Sequence, residues 1–253
     1  MRDRYPFLAH DEPLAFAHRG GAGAWPENTL PAFQASIDLG FTHLETDVHL
    51  TADGVLVAFH DDQLDRVTDR TGRIDALPWS EVRRANVGGR EPIPLLEDLL
   101  GAFPDAFVNI DPKHDRAVPE LVAAIQRTGA IDRVCIGAFS DRRLGRLRAM
   151  LGPRLCTSLG PIGTARLRAA SKGVPVGRLL VPCAQVPVAV GGVTLVDEAF
   201  VTEAHRRGID VHVWTVDDPD EMRRLLDLGV DGIMTDVPSV LRTVLDMHPP
   251  SAS

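Results

Sequence analysis

Eight short β-rich runs alternate with eight helix-length amphipathic segments along almost the whole 253-residue chain. The runs fall at 14–18, 42–48, 106–111, 133–139, 154–159, 178–183, 209–216 and 230–235. Helical periodicity marks 29–39, 94–103, 118–128, 141–151, 163–170, 197–207, 219–228 and 238–247. Such alternation restricts the fold to a parallel sheet whose crossovers are helices. Repeated eight times, it predicts an α/β fold of the (β/α)8 barrel type, for which this length suits a single domain over 1–253. An open doubly wound sheet is the other option, but Gly20-Gly21-Ala22-Gly23 after the first run lacks the G-x-G-x-x-G spacing that such sheets often carry. Gly40, Gly129, Gly208 and Gly229 follow the helix ends, while Asn28, Asp141 and Asp218 stand where caps start helices. The HPPSAS tail reads as frayed.

One extended run, 55–59, has no place in the alternation. It follows Thr51-Ala52-Asp53-Gly54, a turn sequence, and no crossover helix fits between 48 and 55. The spacing predicts a hairpin over 48–60 that returns His60 to the end of the second strand, near Glu45 and Asp47. That end matters because chemistry in such barrels gathers where strands finish. The first run finishes in His18-Arg19, the second carries Glu45 and Asp47 on one face, and the third offers Asp111 and Lys113 at the same spacing. Taken singly, a Glu-x-Asp is most often a solvated strand face, and a strand-end histidine a surface or core side chain. Glu45 and Asp47, however, interrupt THLETDVHL, where a buried strand is expected. Three carboxylates at one mouth repel one another unless a cation lies among them, and an all-oxygen set suits Mg²⁺ or Ca²⁺. Arg19 then fits a phosphate as a fork and Lys113 as a point charge, and His18 and His60 suit proton transfer near neutral pH.

Net charge is −8, which gives no electrostatic footprint for nucleic acid, so an anionic small-molecule substrate needs a local cationic site. Only Lys113 and Lys172 represent lysine, which singles out Lys113. No run is long and apolar enough to span a membrane, and the start MRDRYPFLAHDEP lacks the apolar core of a secretory signal. Cys135, Cys156 and Cys183 each sit in an apolar run and read as buried free thiols, which places the chain in the cytoplasm. Nothing in the pattern specifies an oligomeric state.

HRGGAGAWPENTLPAF, HLETDVHLTADGVLVAFHDDQLDRVTDRTG, NIDPKH and VWTVDDPDEMRRLLDLGVDGIMTDVP together resemble the glycerophosphodiester phosphodiesterase family, over about 14–240. The resemblance implies a TIM barrel with a short insertion at about 64–90. It also implies metal-dependent hydrolysis of glycerophosphodiesters to glycerol 3-phosphate and an alcohol. Residue by residue, it makes His18 and His60 the acid/base pair, Glu45 and Asp47 metal ligands, and Arg19 a phosphate contact. Lys113 matches the lysine of the family's E-x-K, where Asp111 replaces glutamate and leaves the metal open among Mg²⁺, Ca²⁺ and Mn²⁺. Trp214 reads as an apolar wall of the substrate pocket, Glu27 as a brace for the first loop, and Gln185 as a weak candidate for a glycerol hydroxyl. Asp236 is expected to cap the last helix, Asp61 either orients His60 or is solvated, and His43, His49, His205 and His212 read as structural or exposed. Other readings are a lysophospholipase D or sphingomyelinase D-like activity, or a non-catalytic phosphate-binding barrel. Aromatic content of 5% argues for small water-soluble diesters over lipids.

Overall fold

The computed structural model describes residues 4–248, so the end of the tail read as frayed lies outside the described residues. Nine strands form the main sheet: β1 Leu14–Ala17, β2 His43–Leu50, β3 Leu56–Ala58, β4 Phe107–Pro112, β5 Val134–Ile136, β6 Cys156–Thr157, β7 Cys183–Pro187, β8 Asp210–Trp214 and β9 Gly232–Thr235. Eight of them run parallel in the order β6-β5-β4-β2-β1-β9-β8-β7. A parallel bridge between Ser158 and Cys183, with Leu159 N donating to Cys183 O at 2.9 Å, closes the ring. The outer helices are α1 Leu30–Asp38, α2 Leu96–Ala102, α3 Val118–Arg127, α4 Asp141–Leu151, α5 Pro161–Ala170, α6 Glu198–Arg206, α7 Pro219–Asp227 and α8 Pro238–Met247. The chain is therefore a (β/α)8 barrel.

β3 is the extra run. It pairs antiparallel with β2, Val48 opposite Ala58, through a turn in which Gly54 takes a φ of +86°. Phe59 N then donates to Asp47 O at 2.9 Å, which delivers His60 to the mouth as the spacing predicts. The segment after it folds on its own apolar cluster, in which Leu64, Ile74, Val82, Val87 and Ile93 pack on Val57 and Phe59.

Three local expectations change. β7 begins at Cys183, where 178–183 was expected to end, because Pro182 has no N–H for the ladder and only its carbonyl joins, to Asp210 N. Gln185 consequently sits inside a strand. The caps of α1 and α4 are Thr29 and Ser140, one residue from the expected Asn28 and Asp141, whereas Asp218 caps α7 as expected. Asn28 is buried at φ +56° and accepts from Thr46 Oγ1 instead, and Asp141 accepts from Ile162 N at the start of α5.

Side chains alternate in and out along each strand, so the barrel interior is layered from floor to mouth. The floor is apolar: Phe7, from the segment before β1, lies 6.0 Å from Phe16 and 5.9 Å from Phe107 between ring centroids. His43 Nε2 donates to Phe7 O at 2.9 Å, and burial pushes this imidazole down to about 4. Cys135, Cys156 and Cys183 share this interior as free, buried thiols. Among the described residues, no helix is long and apolar enough to cross a membrane.

Candidate active site

β1 stops at Ala17 because the next residues turn sharply: Arg19 has a φ of +51°, and Gly20 and Gly21 follow at +81° and +85°. A Cβ on Gly21 would come within 2.5 Å of Pro238 Cγ, so glycine is needed where the loop meets α8 as well as for the turn. This turn presents His18 and Arg19 to a cavity of about 640 Å³ at the C-terminal end of the barrel. The residues assigned from the sequence to acid/base, phosphate, metal and pocket-wall roles line it, namely His18, Arg19, Glu45, Asp47, His60, Asp111, Lys113 and Trp214, and so does Gln185.

Each of the two imidazoles is held at Nδ1 by a carboxylate. His18 Nδ1 lies 2.8 Å from Asp236 Oδ1, and His60 Nδ1 lies 2.5 Å from Asp61 Oδ1. A carboxylate accepts only, so the hydrogen sits on Nδ1 and Nε2 is left to exchange a proton. Burial works against a charge on His18, but Glu45, 3.8 Å from its Nε2, and Asp236 outweigh it and raise the pKa. A hydrogen bond from Arg66 holds Asp61 down to about 2. Asp236 thus orients His18 and does not cap α8, whose cap position is Val237 with no side-chain bond. Asp61 takes the orienting role of its two readings.

Between the imidazoles lies an alternating row of charges. Glu27 accepts from Arg19 at 3.2 Å and from Arg66 at 2.7 and 2.9 Å, so it braces the first loop as expected. Arg19 N donates to Glu45 Oε2 at 3.0 Å, and Arg19 Nε lies 3.6 Å from Asp47 Oδ2. Lys113 Nζ sits 2.5 Å from Asp47 Oδ1 and 3.0 Å from Asp111 Oδ2. Burial opposes its charge, yet Asp47 and Asp111 prevail and raise its pKa. Burial also pushes Asp111 up, against the pull of Lys113.

The donor chemistry fits a hard divalent ion. Burial first, and repulsion from Asp47 second, push Glu45 up to about 7. Asp47 Oδ2 is buried without a hydrogen-bond partner. A cation beside that oxygen would relieve both conditions.

The opposite half of the cavity is apolar. Trp214 forms part of this wall, with the Phe139 ring edge-on at 5.6 Å, and Leu159, Pro161, Val190 and Leu195 continue it. Gln185 Nε2 donates to Asn109 Oδ1 at 2.8 Å on the cavity floor. Neither Asp236 nor Phe139 was singled out from the sequence as a site residue. The usable signal for Asp236 was ring closure, which makes the residue after the eighth parallel strand a neighbour of the residue after the first.

Two imidazoles, each held at Nδ1 by a carboxylate, thus share one barrel mouth with an arginine, a lysine and three carboxylates. The chain belongs to the glycerophosphoryl diester phosphodiesterase family, whose sequence model matches residues 18–240. A Mycobacterium tuberculosis relative named probable glycerophosphodiester phosphodiesterase 2 is 43% identical, with 94% of this chain and 93% of the relative covered. Lysophospholipase D GDPD1 of Homo sapiens is 29% identical, with coverage of 96% and 91%. Two solved structures, each 24% identical, match in fold. One, from Silicibacter pomeroyi DSS-3, has a TM-score of 0.81 with 96% and 97% of the chains covered. The other is an Oleispira antarctica phosphodiesterase in complex with the product sn-glycerol-3-phosphate, at a TM-score of 0.77 and coverage of 93% and 97%. The protein is thus an enzyme, a phosphoric diester hydrolase of the glycerophosphodiester class.

Proposed function

We propose that His18 and His60 are the acid/base pair that cleaves glycerophosphodiesters to glycerol 3-phosphate and an alcohol. The observation that carries this reading is the carboxylate at Nδ1 of each imidazole, which readies both Nε2 atoms for proton transfer. One histidine takes the proton of the nucleophile, and the other gives a proton to the leaving alkoxide. The nucleophile is water or the substrate's glycerol 2-hydroxyl, the second forming a cyclic phosphate that water then opens. Arg19 and Lys113 face the phosphate and offset its charge, and Trp214 walls the pocket. Glu45 and Asp47, with Asp111 completing the donor set, would hold Mg²⁺ or Ca²⁺, with Mn²⁺ a further option; once bound, the ion offsets charge on the non-bridging oxygens.

The test is release of glycerol 3-phosphate from glycerophosphocholine, with and without EDTA. His18→Ala and His60→Ala should each lower kcat by about 10²–10⁴ with the melting temperature retained. Near-normal turnover in either variant would sink the pairing. Absence of metal-dependent turnover on every glycerophosphodiester tried would point to a phosphate-binding barrel without catalysis.

The apolar half of the cavity favours a second reading, in which the glycerol carries one acyl chain and the activity is of the lysophospholipase D kind. Phe139 is 70% exposed at the rim of a cavity that also holds the charged cluster, an arrangement suited to a chain leaving the site. Phe139→Ser should lower kcat/KM for lysophosphatidylcholine and spare glycerophosphocholine. Equal losses on both substrates would remove this reading.

A further inference from the structure

Beside the mouth, and separate from the Glu45 and Asp47 pair, three further ligand-bearing side chains converge. His49 lies two residues past Asp47 on β2, Asp62 two residues past His60, and His114 immediately after Lys113. One ligand atom from each falls within 4.8 Å of the other two. His114 Nε2 donates to Asp62 Oδ1 at 3.0 Å, a hydrogen that a bound ion would displace, and His49 Nδ1 is 3.9 Å from the same oxygen. In a tetrahedral site with metal–nitrogen and metal–oxygen bonds of about 2.0–2.1 Å, neighbouring ligand atoms stand roughly 3.3–3.5 Å apart. The two distances straddle that spacing.

The protonation of His49 is set by its surroundings. Its Nε2 lies 2.9 Å from the backbone oxygen of His60, which can only accept, so the hydrogen is on Nε2 and the lone pair is on Nδ1, toward Asp62. A donor bond from the second ring nitrogen to a carbonyl is the outer partner that metal-bound histidines characteristically have. His49 is almost fully enclosed, while the Asp62 and His114 side chains are 50% and 40% exposed, which gives an ion a way in and a position for a fourth ligand. Arg73 Nη1, 4.0 Å from Asp62 Oδ2, leaves Oδ1 to the two histidines.

We propose that His49, Asp62 and His114 form a second metal site, for a borderline divalent ion of the zinc class, which pins the turn bearing His60 to the ends of β2 and β4. Two imidazole nitrogens and one carboxylate oxygen select such an ion over Mg²⁺ or Ca²⁺, which take oxygen ligands. The site is independent of the reading of the mouth as a phosphodiesterase.

The experiment titrates Zn²⁺ alone into untagged, chelator-stripped full-length protein held in excess Mg²⁺, following heat, melting temperature and, with Co²⁺ in its place, the visible absorption of a tetrahedral complex. The wild type should bind one equivalent with a rise in melting temperature, as expected of an ion that binds only the folded state. His114→Ala and Asp62→Asn should each weaken this binding at least about tenfold and abolish the thermal shift, because a ligand is lost at an exposed position. Glu45→Gln should keep it. Binding unchanged in His114→Ala, or lost in Glu45→Gln alone, would overturn the proposal, and the second of these would put the ion in the acidic cluster. Absence of Zn²⁺ binding to the wild type would overturn it outright.

Discussion

Ala17 on β1 lies opposite Thr235 on β9, so the residues that follow them, His18 and Asp236, meet at the mouth. If Asp236 fixes the tautomer of His18, an amide in its place can donate to Nδ1 and turn the hydrogen onto Nε2. Asp236→Asn should then lower kcat by about 10²–10⁴, the range that proton transfer contributes, with KM within a few-fold. The pH–rate profile should change shape; a uniform loss with an unchanged profile would mean that Asp236 only packs the loop. The sequence made His18, Glu45, Asp47 and Lys113 legible because polar residues interrupting apolar strands stand out. Asp236 escaped because Asp before Val-Pro at a helix start looks like a cap, and its partner lies 218 residues away. Arg66 escaped for a similar reason: its guanidinium joins Asp61 to Glu27, which lies 39 residues from Arg66, and nothing local marks it.

Elements governed by local turn chemistry could be read directly. Gly54 closing a four-residue turn specifies the β2–β3 hairpin, and glycines ending helices sit at positive φ where they were expected, as at Gly40 and Gly229. β7 lies later than the 178–183 read from the sequence, because 178–190 is one nearly unbroken apolar stretch in which only the ladder to β8 sets the register. Helix starts are fixed more finely than a one-residue reading resolves. At α6 the cap is Asp197, which accepts from Phe200 N at 2.9 Å and also grips Arg168 on α5 at 2.7 and 2.9 Å. Asp197→Ala should destabilise the fold by about 1 kcal/mol, the usual cost of losing a cap, and a urea titration would measure it. The hydrogen bond from Arg168 holds this carboxyl down to about 2. A depressed carboxyl binds fewer protons folded than unfolded, so its contribution is whole above the ordinary value of about 3.9 and fades as pH falls toward 2. The difference between wild type and Asp197→Ala should shrink over that window; a difference constant with pH would discount the ion pair.

At the scale of the molecule, the two ends of the barrel divide stability from chemistry. The mouth concentrates buried carboxylates and a lysine, groups that cost stability to bring together. The floor is a plug of aromatic rings: Phe7 is fully buried, its ring edge-on to His43 at 4.9 Å and to Phe107 at 5.9 Å. Strand-end polarity made the mouth legible in the sequence. The floor was not, because a short 3₁₀ turn at Pro6–Leu8 ahead of the first strand carries no periodic signal. Phe7→Ala should remove the plug at a cost of about 3–5 kcal/mol, as for other buried phenylalanines. For a chain of this size that corresponds to a drop in melting temperature on the order of 10 °C. Because the lesion lies at the opposite end from His18 and His60, kcat/KM at 25 °C should stay within about twofold of wild type, as expected for sites far enough apart to act independently. A calorimetric scan paired with a turnover assay reads both quantities. Loss of activity without loss of stability would mean that floor and mouth are coupled through the barrel interior, and the division of labour between the two ends would fail.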